Sequence, residues 1–139
     1  MIDLNEYTGA YRKYLKSSDA CCIYILCPDM AKPSRLDITS DPPEAYRILQ
    51  RGCWFVLHVP YLLWAPSKTL ARRIESACQT EIDLFRLDGD WFDISSEALT
   101  DVVSSTAKNL YPSGRYLDHR SMIDMLDKHV PAPFKKAAV

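Results

Sequence analysis

The sequence has only four glycines in 139 residues and no apolar run long enough to cross a membrane. So few glycines argue against a glycine-rich loop of the kind that cradles phosphates. The first residues, Met1-Ile2-Asp3-Leu4, are acidic and do not have the pattern of a signal peptide. We therefore expect a cytoplasmic protein with no membrane partner.

The chain also lacks a disulfide framework and a strong charge of one sign. It has five cysteines, an odd number, and three of them fall in one apolar run as Cys21, Cys22 and Cys27. This pattern suits a reduced protein with small buried side chains, and no CxxC pair completes a zinc site. The formal net charge is -1, so any surface for nucleic acid has to be a local patch.

Apolar residues, in contrast, make up 47% of the chain, which is enough for one domain with a core. Helical spacing predicts an amphipathic N-terminal helix, whose apolar residues are Leu4, Tyr7, Tyr11, Tyr14 and Leu15. A continuous apolar run predicts a buried strand over residues 21–26, and alternation predicts a second strand over residues 35–39. The loop between them is short, so we expect an antiparallel hairpin.

The middle of the chain predicts another helix and another strand. Asp41-Pro42-Pro43-Glu44 is typical of a helix start, and the predicted buried stripe that follows is Ala45, Ile48 and Leu49. Aromatic and β-branched residues predict a third strand over residues 53–59, ended by Pro60. Residues 61–66 would then be a connection.

A helix that begins at Ser67 is the longest periodic stretch. Its predicted inner face consists of Leu70, Ile74, Cys78, Ile82 and Phe85. Glu75 lies at the edge of this face, where a carboxylate is half desolvated and still reaches a cleft. A helix capped by Ser95 or Ser96 and a short helix near Met122 follow, before a loose tail over residues 131–139.

This order of elements predicts an α/β protein, more narrowly α+β, with a small, mainly antiparallel three-stranded sheet flanked by helices. Residues 1–19 form an N-terminal helical extension, residues 20–111 the domain, and residues 112–139 a C-terminal helix and tail. The tyrosine stripe of the extension is either an additional core layer or a contact in a homodimer. The sequence leaves both possibilities open.

Several runs in the domain resemble the motifs of the GIY-YIG nuclease superfamily, in the phage and bacterial branch whose second motif often begins with a basic residue. Cys22-Ile23-Tyr24 stands where the family has Gly-Ile-Tyr. Arg35-Leu36-Asp37, followed by Thr39, stands where it has Tyr-Ile-Gly or Lys-Ile-Gly and a threonine. Glu75 and the run Gly89-Asp90-Trp91-Phe92 match its metal-binding glutamate and a downstream Gly-Glu-Trp-Phe run.

The resemblance implies a site for phosphodiester cleavage. If the roles of the family's motif residues apply to the matching positions here, Tyr24 would help to activate water. Glu75 would hold one divalent cation, Mg²⁺ or Mn²⁺, against the scissile phosphate. An arginine would stabilise the developing negative charge. Ala45 stands at the position of the family's arginine, so Arg47, Arg35 or a neighbour would have to supply that group. Asp37 stands in place of the second-motif glycine, and Gln79 in place of a histidine.

Two functions remain open from these residues. The first is a degenerate GIY-YIG-like domain, catalytically weak or silent, which binds nucleic acid or a protein partner as a regulatory module. The alternative is a metal-dependent DNA endonuclease with Tyr24, Arg47 and Glu75 as catalytic residues. In either case DNA is the expected partner, and the predicted phosphate-contacting patch is Arg35, Arg47, Arg51, Arg72 and Arg73. Without the resemblance, Tyr24 would be a core tyrosine and Glu75 a solvated helix residue.

Overall fold

The computed structural model describes residues 1–29 and 32–130, and over these it has five helices and five strands. The helices are α1 (Gly9–Lys16), α2 (Pro42–Arg51), α3 (Lys68–Glu81), α4 (Ser96–Leu110) and α5 (His119–His129). The strands are β1 (Cys21–Cys27), β2 (Ser34–Thr39), β3 (His58–Ala65), β4 (Trp91–Phe92) and β5 (Leu117–Asp118). None of the helices in this part of the chain is long and apolar enough to span a membrane. The predicted loose tail lies outside the described residues.

The five strands form one antiparallel sheet in the order β4-β2-β1-β3-β5. The mixed helix-and-strand class and the hairpin of β1 and β2 are therefore confirmed. The predicted number of three strands is wrong, because β4 and β5 were not foreseen. Each of these two strands has only two residues, too few for any periodicity, and each is defined by its pairing with β2 or β3.

The third strand was predicted in the wrong place. Residues 53–57 form a loop, and β3 includes Pro60 together with most of the predicted connection. Ile25 pairs with Tyr61 whereas Cys27 pairs with His58, so β3 has one extra residue in this interval. A bulge of this kind leaves a residue outside the ladder, which is why a proline without an N–H is tolerated there.

Helices cover both faces of the sheet and enclose two cores. The face covered by α1, α2 and α5, here called the α2 face, has a core that includes Leu15, Tyr24, Leu62, Trp64 and Leu126. The face covered by α3 and α4, here called the α3 face, has a core that includes Ile23, Ile25, Ile74, Leu99 and Val103. Strand β1 is buried along its whole length, as predicted, because it lies at the centre of the sheet.

The helix starts agree with the sequence better than the helix faces do. Ser67 and Ser95 cap α3 and α4, and their hydroxyl oxygens accept hydrogen bonds from backbone N–H groups at 3.2 and 3.1 Å. The predicted burial of Ile48 in α2 is wrong, since this side chain is 57% exposed. Phe85 is 47% exposed because α3 ends at Glu81, before the predicted inner face is complete.

The N-terminal segment packs into the core of the α2 face. Tyr7 is fully buried, and its hydroxyl accepts a hydrogen bond from Trp64 Nε1 at 3.2 Å and contacts His119 Nδ1 at 2.7 Å. On the other side of the His119 ring, Nε2 lies 3.2 Å from Glu6 Oε1, so the imidazole connects Tyr7 with the N-terminal segment. Residues of the predicted extension and of the predicted domain thus share one core, while Tyr14 is 39% exposed.

Candidate functional site

Tyr24 lies in the middle of β1, where it pairs with Asp37 on β2 and Leu62 on β3. Its side chain is only 2% exposed and belongs to the core of the α2 face. Burial, the largest cause, and the negative charge of Asp37 raise the pKa of Tyr24 well above its ordinary value. The hydroxyl is therefore neutral at physiological pH and nearly closed off from solvent, which disfavours its acting on water.

Glu75 is half-buried on α3, next to the fully buried Ile74, as its place at the edge of the helix face predicts. Burial raises the pKa of Glu75 to about 6, and the negative charges of Asp37 and Asp90 add to this effect, against the opposing charge of Arg72. A carboxylate with such a pKa takes up and releases protons close to neutrality. It is the most strongly perturbed acidic side chain for which a shift is resolved.

An arginine and two carboxylates meet at the β2 edge of the sheet, and a third carboxylate, Glu75, lies within range of their charges. Arg35 Nη2 lies 3.2 Å from Asp37 Oδ2 and 3.4 Å from Asp90 Oδ2. The turn at Gly89, whose φ is +75°, brings Asp90 back beside β2 just before β4 pairs with Ser34 and Arg35. We call Arg35, Asp37, Glu75 and Asp90 the β2-edge cluster, because the charges of Asp37 and Asp90 act on Glu75.

The predicted Mg²⁺ or Mn²⁺ would have few protein ligands at this cluster. Within residues 1–29 and 32–130, no group of three or more His, Cys, Asp or Glu side chains could hold a metal ion. The guanidinium of Arg35 already contacts both Asp37 and Asp90, so it provides the positive charge that a cation would bring. A divalent ion bound by Glu75 would have to displace that arginine or be held by a single protein carboxylate.

Arg47, the predicted replacement for the missing arginine, is not near Glu75. It is exposed on α2, and its Nε donates to Glu44 Oε2 at 3.0 Å within the same helix. α2 and α3 cover opposite faces of the sheet, so Arg47 and Glu75 belong to different sides of the molecule. The arginine that lies beside Tyr24 and the carboxylates is Arg35.

The predicted patch of five arginines is divided between three places. Arg35 is in the β2-edge cluster, whereas Arg47 and Arg51 lie on α2. Arg72 and Arg73 lie on α3, and Arg73 Nη1 donates to the Tyr111 hydroxyl at 3.1 Å at the end of α4. Arg35 is engaged by carboxylates, so two surfaces are available for phosphate contacts, one on α2 and one on α3.

A groove of about 820 Å³ lies between the N-terminal segment, α2 and the start of β3. Its basic and titratable lining includes Arg12, Arg47, Arg51 and His58, its acidic lining is Asp3 and Glu44, and its apolar lining includes Tyr46 and Val56. Sequence reasoning missed this groove because its walls come from three separate parts of the chain. Arg51 has no ion-pair partner within the described ranges, whereas Arg12 is bound to Asp41 and Arg47 to Glu44.

A signal for this region is present in the charge pattern along the chain. Between Ala45 and Ile74 there is no Asp or Glu, while the basic residues are Arg47, Arg51, Lys68, Arg72 and Arg73. The whole chain has a net charge of -1, so the acidic residues are concentrated elsewhere. Because α2 and α3 cover opposite faces of the sheet, this segment provides two basic surfaces, Arg47 and Arg51 on α2 and Lys68, Arg72 and Arg73 on α3, and a local basic surface suits an anionic partner.

Comparisons of the chain with models of protein families, with curated proteins and with solved structures find no match. The resemblance to the GIY-YIG nucleases therefore depends on the motifs quoted above. Of their residues, Arg35, Asp37 and Asp90 are in contact at the β2 edge. Tyr24 is buried on β1 in the core of the α2 face, and Glu75 lies on α3, which covers the opposite face.

Proposed function

We propose that the protein is a catalytically silent nucleic-acid-binding module built on a GIY-YIG-like domain. The observation that carries this proposal is the segment from Ala45 to Ile74, which has five basic residues and no acidic one in a chain of net charge -1. Contacts of arginine and lysine with phosphates supply most of the affinity in non-specific binding of nucleic acid. The segment forms most of α2, all of β3 and the first half of α3, so regular structure fixes the positions of its basic residues.

The state of the motif residues supports catalytic silence. Tyr24 is buried with its proton retained, and Arg35 is engaged by two carboxylates. Arg47 is on the other side of the sheet from Glu75. Loss of one charge-stabilising donor typically reduces a rate by a factor of about 100 to 1,000, and here the tyrosine is also closed off from solvent.

The groove beside α2 is the phosphate-contacting surface that we favour. Arg51 is exposed and is not ion-paired within residues 1–29 and 32–130, so binding a phosphate through it breaks no existing ion pair. Arg47 is exposed at the same groove, and its contact with Glu44 is a surface ion pair of the kind that contributes little to stability.

The test is a titration of fluorescently labelled DNA, duplex and single-stranded, with the purified full chain at increasing salt concentrations. We expect binding that weakens steeply as salt increases, because counterions are released when phosphates are contacted. Arg51→Gln should weaken binding and reduce the slope of log K against log salt by about 1. Arg115→Gln, an exposed arginine outside the basic segment, is the matched control and should leave both quantities unchanged.

Cleavage is measured in parallel on supercoiled plasmid with Mg²⁺ or Mn²⁺. We expect none above background. Nicking by the wild type that disappears in Glu75→Gln would instead establish the endonuclease, with the metal at Glu75. If the folded protein bound no DNA or RNA at any salt concentration, the module would be one that binds a protein.

A further inference from the structure

Trp54 is 95% exposed, which is unusual for so large an apolar side chain. The other two tryptophans differ from it, since Trp64 is buried at 1% exposure and Trp91 is half-buried. Val56, two residues further along the same loop, is also exposed, at 60%. An exposed tryptophan in a loop with a defined structure is typical of a binding surface.

The loop that carries Trp54 is fixed to α2 by hydrogen bonds. Gln50 Nε2 donates to the Phe55 carbonyl at 2.8 Å, and Gln50 Oε1 accepts from the Leu57 N–H at 2.7 Å. The Tyr46 hydroxyl donates to the Leu57 carbonyl at 2.8 Å. These bonds hold the backbone after Trp54, so its exposure is imposed by the loop structure.

The ring of Trp54 is also supported from one side. It meets Phe55 edge-on, with ring centroids 5.5 Å apart and planes at 85°. Phe55 in turn contacts Trp91 at 6.4 Å, which connects the exposed ring to the edge of the core. A ring held in this way loses little conformational entropy when a flat partner stacks on it.

The charges around this ring indicate what the flat partner is. From Ala45 to Pro60 the chain has Arg47 and Arg51 and no acidic residue. Arg51 and Val56, which flank Trp54 in sequence, both line the groove of about 820 Å³. Arg47 is paired with Glu44 at the same groove, so Arg51, which has no ion pair within residues 1–29 and 32–130, is the arginine ready to meet a phosphate. A stacking surface next to Arg51 fits a strand with bases and phosphates, since a phosphate meets this arginine while a base covers the ring.

We propose that Trp54 is a stacking site for an unpaired base of a single-stranded nucleic acid, whose backbone follows the groove past Arg51 and Arg47. This inference rests on the proposed function and specifies its ligand. Bases within a duplex are stacked on one another, so their faces are not available to Trp54. A single strand should therefore bind more tightly than a duplex of the same length.

The experiment measures the binding of labelled oligodeoxythymidine, oligouridine and duplex DNA to the full chain by fluorescence anisotropy. Trp54→Ala should weaken single-strand binding by a factor of about 5 to 100, the range for loss of one stacked base. Trp54→Phe should retain most of the affinity, because a ring remains. Leu84→Ala removes a side chain that is also exposed, at 96%, but lies outside the basic segment, and it should have no effect.

A second readout is the tryptophan emission of the protein itself. Addition of oligodeoxythymidine should quench the emission of the wild type, and this quenching should be lost in Trp54→Phe although binding persists. The two single-stranded probes separate DNA from RNA as the preferred strand. Thermal unfolding of Trp54→Ala should match the wild type, because a side chain so exposed contributes little to stability.

The outcomes separate the two proposals. Single-strand binding that is unchanged in Trp54→Ala, or a clear preference for duplex, would overturn the stacking site and leave the nucleic-acid-binding module in place. If no probe bound in any form, both proposals would fall. A wild type that dimerises through Trp54, with Trp54→Ala monomeric, would show that the ring contacts a second copy of this chain instead.

Discussion

The β2-edge cluster and the surface of α2 with its following loop contain similar residue types in opposite states. In the cluster, Arg35 is 20% exposed and contacts Asp37 and Asp90, so its charge is used inside the protein. On the α2 surface, Arg51 is exposed with no ion-pair partner in the described part of the chain, and Trp54 is 95% exposed. The charges of the first region are neutralised within the protein, whereas the second region keeps an arginine and a tryptophan at its surface.

The difference shows why a motif match is weak evidence for an activity. Tyr24, Arg35 and Glu75 are at positions that the family pattern indicates, but Tyr24 is buried in the core of the α2 face and Glu75 lies on α3, on the opposite face. This burial and the ion pairs of Arg35 support our proposal that the site is catalytically silent. The groups that remain available for binding lie on α2 and its loop, where no family motif pointed to an exposed aromatic ring.

The largest effect should come from Gln50→Ala, which removes the side chain that fixes the Trp54 loop. Two hydrogen bonds to the backbone of Phe55 and Leu57 would be lost, and we expect a fall of about 2 kcal/mol in the free energy of unfolding. Chemical denaturation measures this value. Gln79→Ala, on α3, is the control and should change it by less than about 0.5 kcal/mol. An equal effect of both variants would mean that the loop is not held by Gln50.

A smaller effect should come from Arg35→Met, which keeps the side-chain stem but removes the charge. Asp37 and Asp90 would then face Glu75 with no positive charge in contact, and we expect a loss of about 1–2 kcal/mol at neutral pH. The double variant Arg35→Met/Asp37→Asn should recover part of this loss. If the changes in the free energy of unfolding caused by the two substitutions simply added, the double-mutant cycle would show no coupling. That result would mean that Arg35 and Asp37 do not neutralise each other.

The smallest effect should be that of Glu75→Gln, and it should depend on pH. The pKa of Glu75 is raised from 4.5 to about 6, so the folded state holds this proton more tightly than the unfolded state does. The contribution of Glu75 to stability should therefore fall as pH rises from about 4.5 to about 6, and the charged carboxylate should be unfavourable above that window.

Because Glu75 is half exposed, solvent screening limits this effect, and we expect Glu75→Gln to be more stable than the wild type by at most about 1 kcal/mol at neutral pH. At about pH 4 the two proteins should be equally stable, since the carboxyl is then protonated in both folded and unfolded states. A difference between them that did not change with pH would assign the effect to packing rather than to charge.

The sequence predicted the elements whose signals are local. The apolar run of β1, the serine caps of α3 and α4, and the edge position of Glu75 all follow from neighbours in the chain. The position of β3 could not be predicted in this way, because the ladder with β1 contains Pro60 at a bulge that depends on pairing. The same holds for β4 and β5, which have two residues each.

The sequence by itself determined the mixed helix-and-strand class, the hairpin at its centre and the basic segment from Ala45 to Ile74. Only the tertiary structure decided which charges are free. Arg35 and Arg51 look alike in the sequence, yet one is bound by carboxylates from β2 and from a turn more than fifty residues later, and the other faces a groove. Side-chain neutralisation is a property of contacts across the chain, so local patterns do not determine it.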